Sequence, residues 1–393
     1  MQVRASLMAH DLRKLRDTLR AGTCMSTTPN PSGFSLRLMQ ITYFGHHPPH
    51  PGGVAQHGQG VVAGLRAREH QLQVLSWRRM YPARLYPGTV AAANHQPAPG
   101  VTALADWFDP TSWLRVGWRA AAGDLLVLPW VTAFHAPASA AVLRAAGDIA
   151  RVAIVHNARP HERQPGSDTL LRTALRPLDG AVVHATSVAD DLNQLLPHLP
   201  ITVVEHPANL PLVPMPLPVS EPLRLLVFGF VRAYKGVEVA LDAVQLLVRD
   251  GVDVRLTIAG EFWEPIDQWR AAVASRGLAS QVELRAGYVP DDEVQGLFSA
   301  HHLLVAPYHN ATQSGIVPLA RAAGRGVVVT RVGGLAEAVT DGTDGRLVPP
   351  GDPIALASAL QDGRREAGRW GQRSAQRQTR WEDVADAITA HAH

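Results

Sequence analysis

Lysine is nearly absent from this chain. Of its 37 lysines and arginines only Lys14 and Lys235 are lysines, so nearly every cation is a flat guanidinium fork rather than a compact ammonium. Cysteine is scarcer still. Cys24 stands alone, which excludes disulfides and cysteine-ligated metals and fits a reducing cytoplasm. No apolar run reaches the roughly 20 residues needed to span a bilayer. The first 38 residues lack the apolar core of a signal peptide; they carry Arg4, Lys14, Arg16 and Arg20, then a Thr/Pro/Ser stretch. They read as a flexible leader over 1–35, or as a segment preceding a true start at Met25 or Met39. Their basic character admits peripheral contact with the inner face of a membrane. An Asp-x-Asp pair of the kind that grips a metal is also missing.

A net charge of +3, spread along the chain, makes nucleic acid a poor first expectation and leaves room for anionic substrates or lipid headgroups. With 46% hydrophobic and 18% charged residues in 393, the composition is that of a globular protein too long for one core. Apolar runs alternate with helical patterns. Strands are expected at Leu36–Phe44, Leu72–Trp77, Leu125–Pro129, Val152–His156 and Gly180–His184, with helices near Val54–Arg68, Ala138–Ala146 and Asp168–Leu175 between them. Six prolines from Pro207 to Pro222 inclusive mark a stiff linker. The scheme then repeats, with strands at Leu223–Phe230, Val254–Ala259, Val282–Ala286, Leu303–Ala306, Val327–Thr330 and Arg346–Val348. A last helix is expected over Trp381–His391. Continuous apolar strands joined by helices predict parallel sheets covered on both faces. The fold class is therefore α/β, with two Rossmann-like domains at 36–206 and 223–370, a linker at 207–222 and a C-terminal helix in 371–393 packing back on the first domain. Ligands are expected in the cleft, at the carboxyl ends of the strands.

Lys235 falls between a buried strand and an amphipathic helix, in Phe228-Gly229-Phe230-Val231-Arg232-Ala233-Tyr234-Lys235-Gly236. A cation pair at that junction suits a diphosphate, with chance placement on an exposed helix start as the alternative. In Pro307-Tyr308-His309-Asn310-Ala311-Thr312-Gln313-Ser314-Gly315-Ile316-Val317 a second strand enters a helix, so the N–H groups near Ser314 to Val317 point to an anion site rather than an ordinary cap.

Taken together these stretches resemble family 4 of the retaining glycosyltransferases, whose fold is called GT-B. The resemblance also rests on Pro51-Gly52-Gly53, His156-Asn157, Pro160-His161-Glu162, Gly260-Glu261, Gly287-Tyr288-Val289-Pro290, Gly333-Gly334-Leu335-Ala336-Glu337, Asp344-Gly345 and Trp381-Glu382-Asp383. It covers about residues 36 to 390. It implies that Arg232 and Lys235 hold a donor diphosphate and that Gly52 and Gly53 close over it. It implies further that His156 faces the sugar and that the backbone at Tyr288 seats the nucleobase. Gly229, Thr312, Gln313, Ser314, Gly315, Ile316 and Glu337 complete the implied donor set. The chain departs from the family where two glutamates eight positions apart are usual. The matching registers hold Thr312 and Ala320, or Gln313 and Arg321, a Thr-Gln-Ser-Gly branch.

The expected reaction is transfer of a sugar from a nucleotide diphosphate to an acceptor hydroxyl, with retention and without a metal or other cofactor. Trp77 to Gly88, with Arg78, Arg79 and Arg84 among aromatic faces, reads either as an acceptor loop or as a surface loop with chance arginines. His161 and Glu162 would orient the acceptor (a glycan, lipid-linked or small molecule) or form a structural ion pair. Trp107, Trp113, Trp118 and Trp130 read as core. A nucleotide-sugar epimerase of the same architecture and a non-catalytic nucleotide-sugar-binding protein are the alternatives.

Overall fold

The computed structural model describes residues 38–48, 50, 52–80, 98–159, 166–219, 221–312 and 314–392. The expected leader with Cys24, and the site candidates Arg84, His161, Glu162 and Gln313, lie outside the described residues. Residues 39–393 form one compact unit built on two sheets.

The first sheet comprises β1 (Gln40–Gly45), β2 (Gln71–Arg79), β3 (Val101–Asp106), β4 (Leu125–Trp130), β5 (Ala150–Val155), β6 (Gly180–Val183) and β7 (Ile201–Val203). Every pair is parallel, in the order β3-β2-β1-β4-β5-β6-β7. Helices α1 (Gly53–Ala67), α2 (Pro110–Ala120), α3 (Ala136–Ala145), α4 (Ser167–Leu175) and α5 (Thr186–Leu195) make the crossovers. Helix α2 starts where its sequence says it should. Pro110 presets the first turn, and the Asp109 carboxylate accepts from the Thr111 N–H at 3.1 Å.

The second sheet comprises β8 (Leu223–Phe228), β9 (Val254–Gly260), β10 (Val282–Ala286), β11 (Leu303–Ala306), β12 (Gly326–Thr330) and β13 (Gly345–Val348), in the order β10-β9-β8-β11-β12-β13 and again parallel. Its helices are α6 (Val237–Arg249), α7 (Ile266–Ser275), α8 (Asp291–Ser299), α9 (Ile316–Ala322), α10 (Gly333–Glu337) and α11 (Pro353–Gln376). Each sheet separates two apolar clusters, one per face, which is why the strands read as unbroken apolar runs.

The last helix, α12 (Trp381–Thr389), returns to the first lobe. Val384, Ala385 and Ile388 pack with Val61 and Leu65 of α1 over Ile41, Val127 and Ile154. Burying each large side chain there contributes about 1.5–3 kcal/mol. Trp381 lies on Gly60 and Gly64, and its indole N–H donates to the Ala208 carbonyl at 3.0 Å.

Several sequence expectations are corrected. Strand β2 runs on through Arg78 and Arg79, so both sit on a strand end rather than in a loop. Strand β3 was not anticipated. Its pattern in Val101–Asp106 is short and only partly buried, too brief to register as a period. Trp118 is 62% exposed while Trp113 and Trp130 are buried, because a single helix face cannot bury both Trp113 and Trp118. Helix α11 continues to Gln376, with Trp370 in the core of the second lobe, six residues beyond the boundary drawn at 370. Among the described residues no helix is long and apolar enough to cross a membrane.

Candidate functional site

In each sheet the strand order reverses between two strands, β1/β4 in the first and β8/β11 in the second. The carboxyl ends flanking such a reversal open a crevice. In the second lobe those ends lead into Gly229 to Gly236 and into Pro307 to Ile316, the two stretches that the sequence singled out.

Lys235 closes a short 3-10 turn, Ala233–Lys235, and is 7% exposed. Its ammonium lies 5.1 Å from the centre of the Tyr308 ring, and a Cβ at Gly229 would stand 3.3 Å from Nζ and 4.0 Å from Ile316. No carboxylate of the described residues pairs with it. Burial lowers its pKa from 10.5 to about 8; nearby Tyr234 opposes the fall and Arg232 deepens it. Gly236 must be glycine. It has φ +63°, and a Cβ there would stand 2.0 Å from the Pro307 carbonyl oxygen. The two loops of the crevice are tied by the His309 N–H, which donates to the Tyr234 carbonyl at 2.7 Å. Arg232 is exposed and its guanidinium lies 4.2 Å over Trp263, a contact with no signal in the strand pattern.

In the first lobe Gly52, with φ +96°, precedes α1, and a Cβ at Gly52 or Gly53 would meet nothing within 4 Å. A ligand can approach the backbone there. His156 follows β5, its N–H donating to the Trp130 carbonyl at 2.9 Å, and is 5% exposed. Burial, and then His206, lower its pKa to about 3.

His156 belongs to a cluster that sequence reasoning missed. His57 of α1 packs edge-on against it, ring centres 4.6 Å apart, and lies 4.9 Å from His184 and 5.2 Å from His206. The His184 Nδ1–H donates to the Val204 carbonyl at 2.8 Å, which leaves its Nε2 to accept from the His57 Nε2–H at 2.7 Å. Burial and mutual repulsion hold His57 and His184 well below 6.5, and burial holds His206 at about 4. All four are neutral imidazoles. The direct Nε2···Nε2 bond occupies nitrogens that a metal would need, and among the described residues no group is arranged as a metal site. A usable signal was present: His156, His184 and His206 follow successive strands.

His206 joins the two lobes, its Cε1 3.6 Å from where a Cβ on Gly315 would lie. A continuous path therefore runs from Lys235 through Gly229, Ile316 and Gly315 to His206, His57 and His156. Helix α9, which Gly315 precedes, has only seven residues, so its dipole is small.

Other expected donor residues face the opposite lobe. The Thr312 hydroxyl donates to the Asn157 side-chain oxygen. The Glu337 carboxylate accepts from the N–H groups of Thr186 and, at 2.9 Å, Ser187 at the start of α5. Burial pushes Glu337 up, but those bonds outweigh it and hold it below 4.5. Arg321 is almost fully buried and donates to Glu205 at 2.6 Å. Gln56 donates to Asp291 at 3.1 Å. These contacts close the lobes on each other. Tyr288 is 63% exposed, with its hydroxyl donating to Asp291 at 2.7 Å. Ser314 lies between Thr312 and Gly315 on the same loop. Arg78 and Arg79 sit apart, at the end of β2, on Asp106.

Residues 222–363 match the family described as Glycosyl transferases group 1. A D-inositol 3-phosphate glycosyltransferase of Corynebacterium diphtheriae is 34% identical over 148 residues, 36% of this chain and 34% of that protein. A glycogen synthase of Mycobacterium tuberculosis is 29% identical over 223 residues, 54% of this chain and 53% of that protein. The chain thus spans about a third to a half of the curated relatives it matches. Among solved structures, a sucrose-phosphate synthase from Thermosynechococcus elongatus superposes with a TM-score of 0.70 at 16% identity, covering 90% of this chain and 98% of that one. Anabaena HepE in complex with UDP and glucose does so at 0.68 and 15%, covering 90% and 98%. With two parallel Rossmann-like sheets in these orders, the chain has the GT-B fold, and its second lobe carries the sequence pattern of glycosyl transferases group 1.

Proposed function

We propose that this chain is a retaining glycosyltransferase that moves a hexosyl group from a nucleotide diphosphate donor to an acceptor hydroxyl. The observation that carries this reading is Lys235, a buried ammonium at the strand reversal of the second lobe with no carboxylate partner among the described residues. A buried charge left unpaired is costly, and a diphosphate would pair it.

The chemistry follows from where charge develops. As the bond between the sugar carbon and the diphosphate oxygen breaks, negative charge grows on the departing diphosphate, and Lys235, Arg232 and the N–H groups beside Gly315 stabilise it. The acceptor oxygen bonds to the same carbon from the same face, and its proton passes to the departing phosphate oxygen. His156, neutral, offers a hydrogen bond to the sugar without adding a cation. Gly52 and Gly53 let the α1 backbone close over the donor, and the Tyr288 backbone borders the base. Cytoplasmic nucleotide sugars, met at or near the inner face of a membrane, suit this arrangement. No step needs a metal.

A second reading, a nucleotide-sugar binder without turnover, is favoured by Thr312 and Glu337 bonding to the other lobe. The test is a binding screen of UDP, GDP, ADP and their sugars, with Lys235→Ala beside the parent. One nucleotide should bind, and the variant should weaken it by about 10- to 100-fold, the usual effect of losing one charged hydrogen bond. Equal affinity in the variant, or no binding to any nucleotide, would refute the donor site. Slow hydrolysis of the bound nucleotide sugar would separate the enzyme from the binder, and an epimerised sugar would identify an epimerase.

A further inference from the structure

Asp106 ends β3 and is 2% exposed. Its carboxylate accepts from Arg78 at 3.0 Å, from Arg79 through Nε at 3.0 Å and Nη2 at 2.9 Å, and from the Phe108 N–H at 2.9 Å. Its backbone is pinned in turn. The Asp106 N–H donates to Ser112 Oγ at 2.9 Å, and the Trp113 indole donates to the Asp106 carbonyl at 2.9 Å. Burial pushes the carboxyl up, yet Arg79, the Phe108 N–H and Arg78 together bring it below 3.8, so it is ionised.

Neighbouring residues on a strand normally point to opposite faces. Here the β2–β3 register slips between Ser76 and Trp77 and again between Trp77 and Arg79, and both guanidiniums reach one carboxylate. Two positive charges on one negative leave a surplus of one. The arginine side chains stay 65% and 56% exposed over an acid that is 3% exposed. Arg79 also lies 4.6 Å over the exposed ring of Phe108, and Trp107 stacks on Phe134 at 4.1 Å beside it. Arg78 uses one Nη on Asp106 and Arg79 keeps its other Nη, so each fork retains donors without a partner among the described residues. The same strand end joins the donor side, because His50 Nε2–H, two residues before Gly52, donates to the Trp77 carbonyl at 2.8 Å. Strand β2 is the hydrogen-bonded neighbour of β1, so the arginine pair lies at the strand end next to the β1 loop.

We propose that Arg78 and Arg79, splayed on Asp106, form an anion subsite for the acceptor. The acceptor class is then a sugar or polyol carrying a phosphate or carboxylate, with its charged oxygens on the guanidinium forks and its ring against Phe108. Planar forks held by a buried carboxylate are preorganised for two-point recognition of such oxygens. The word acceptor rests on the transfer reading above; the anion subsite itself does not.

The experiment is calorimetric titration of glucose 6-phosphate, glucuronate and glucose into the Lys235→Ala chain, where the diphosphate site no longer competes for anions. The charged sugars should bind at least about tenfold more tightly than glucose, with affinity falling as salt rises. Arg78→Gln/Arg79→Gln should abolish that preference. Should that variant misfold, Arg78→Lys/Arg79→Lys keeps the charge, loses the fork and should weaken binding by about tenfold. A parallel arm uses vesicles of phosphatidylglycerol or of phosphatidylcholine. Retention on the anionic vesicles alone, lost in the double variant, would assign the charged group to a lipid headgroup. Equal binding of charged and neutral sugars with no vesicle preference, or a preference unchanged in the double variant, would overturn the subsite. Charged-sugar binding in the variant, where the parent chain itself binds no nucleotide, would keep the subsite and remove the transfer reading.

Discussion

Replacing Lys235 by methionine should stabilise the ligand-free protein while removing its diphosphate site. Burial takes the ammonium from 10.5 to about 8. At 1.36 kcal/mol per pH unit, that fall means the fold disfavours the charged form by roughly 3 kcal/mol relative to the unfolded chain. Methionine, one atom shorter, replaces the apolar stem but gives up the attraction of the ammonium for the Tyr308 ring, about 1 kcal/mol. The net expectation is a gain of about 2 kcal/mol near neutral pH. Urea unfolding of parent and Lys235→Met, followed by the near-ultraviolet signal of the tryptophans, measures it. The sign with pH is also fixed. Below about 8 the lysine is protonated in both folded and unfolded states, so its penalty is constant. Between about 8 and 10.5 the folded lysine is neutral while the unfolded one still holds its proton, so the parent gains stability and the gap narrows. Adding the nucleotide found in the binding screen should stabilise the parent more than the variant at the same concentration. A variant less stable than the parent near pH 7, or a gap unchanged across that pH range, would refute the account of Lys235 as an uncompensated buried cation.

The neutral histidine cluster predicts acid sensitivity. Burial holds His206 at about 4 against 6.5 for a free imidazole, so the unfolded chain takes up a proton that the folded one refuses. Stability should fall as pH drops below 6.5, and His206→Gln should recover about 2 kcal/mol of the loss between pH 7 and 5, read by urea midpoints at both pH values; parallel losses would show that His206 is not held neutral. The seam of the returning helix predicts a contrast between two glycines. A Cβ at Gly64 would lie 2.2 Å from the Trp381 carbonyl oxygen, whereas one at Gly296 would meet nothing within 4 Å. Gly64→Ala should cost about 1–3 kcal/mol in thermal or urea unfolding, and Gly296→Ala, inside α8, should gain up to about 1 kcal/mol.

Much of the scaffold is legible without coordinates, because parallel strands covered on both faces must be apolar throughout. Leu223–Phe228, Leu303–Ala306 and Val327–Thr330 show this directly, and the proline run separates the two repeats. The weaker elements escape for the same physical reason. β3 is partly exposed and only six residues long, so its side chains carry little periodic signal. The end of α11 carries no local stop signal, because at Gln376 it is polar and capped by neither glycine nor proline.

Within the site, the sequence by itself determined which groups have unusual chemistry. It set one lysine after the leader, glycines where loops must turn, and a Thr-Gln-Ser-Gly stretch in place of paired glutamates. Only the tertiary structure decided what those groups face. His156, His184 and His206 meet because parallel strands deliver their carboxyl ends to one edge, and His57 reaches them from the start of α1. Glu337 lies on the α5 backbone, and Arg78 with Arg79 on Asp106, through contacts between residues 27 to 151 positions apart. Local pattern reports the burial and conformation of a segment; partnership across such separations depends on how whole elements pack, which no local window contains.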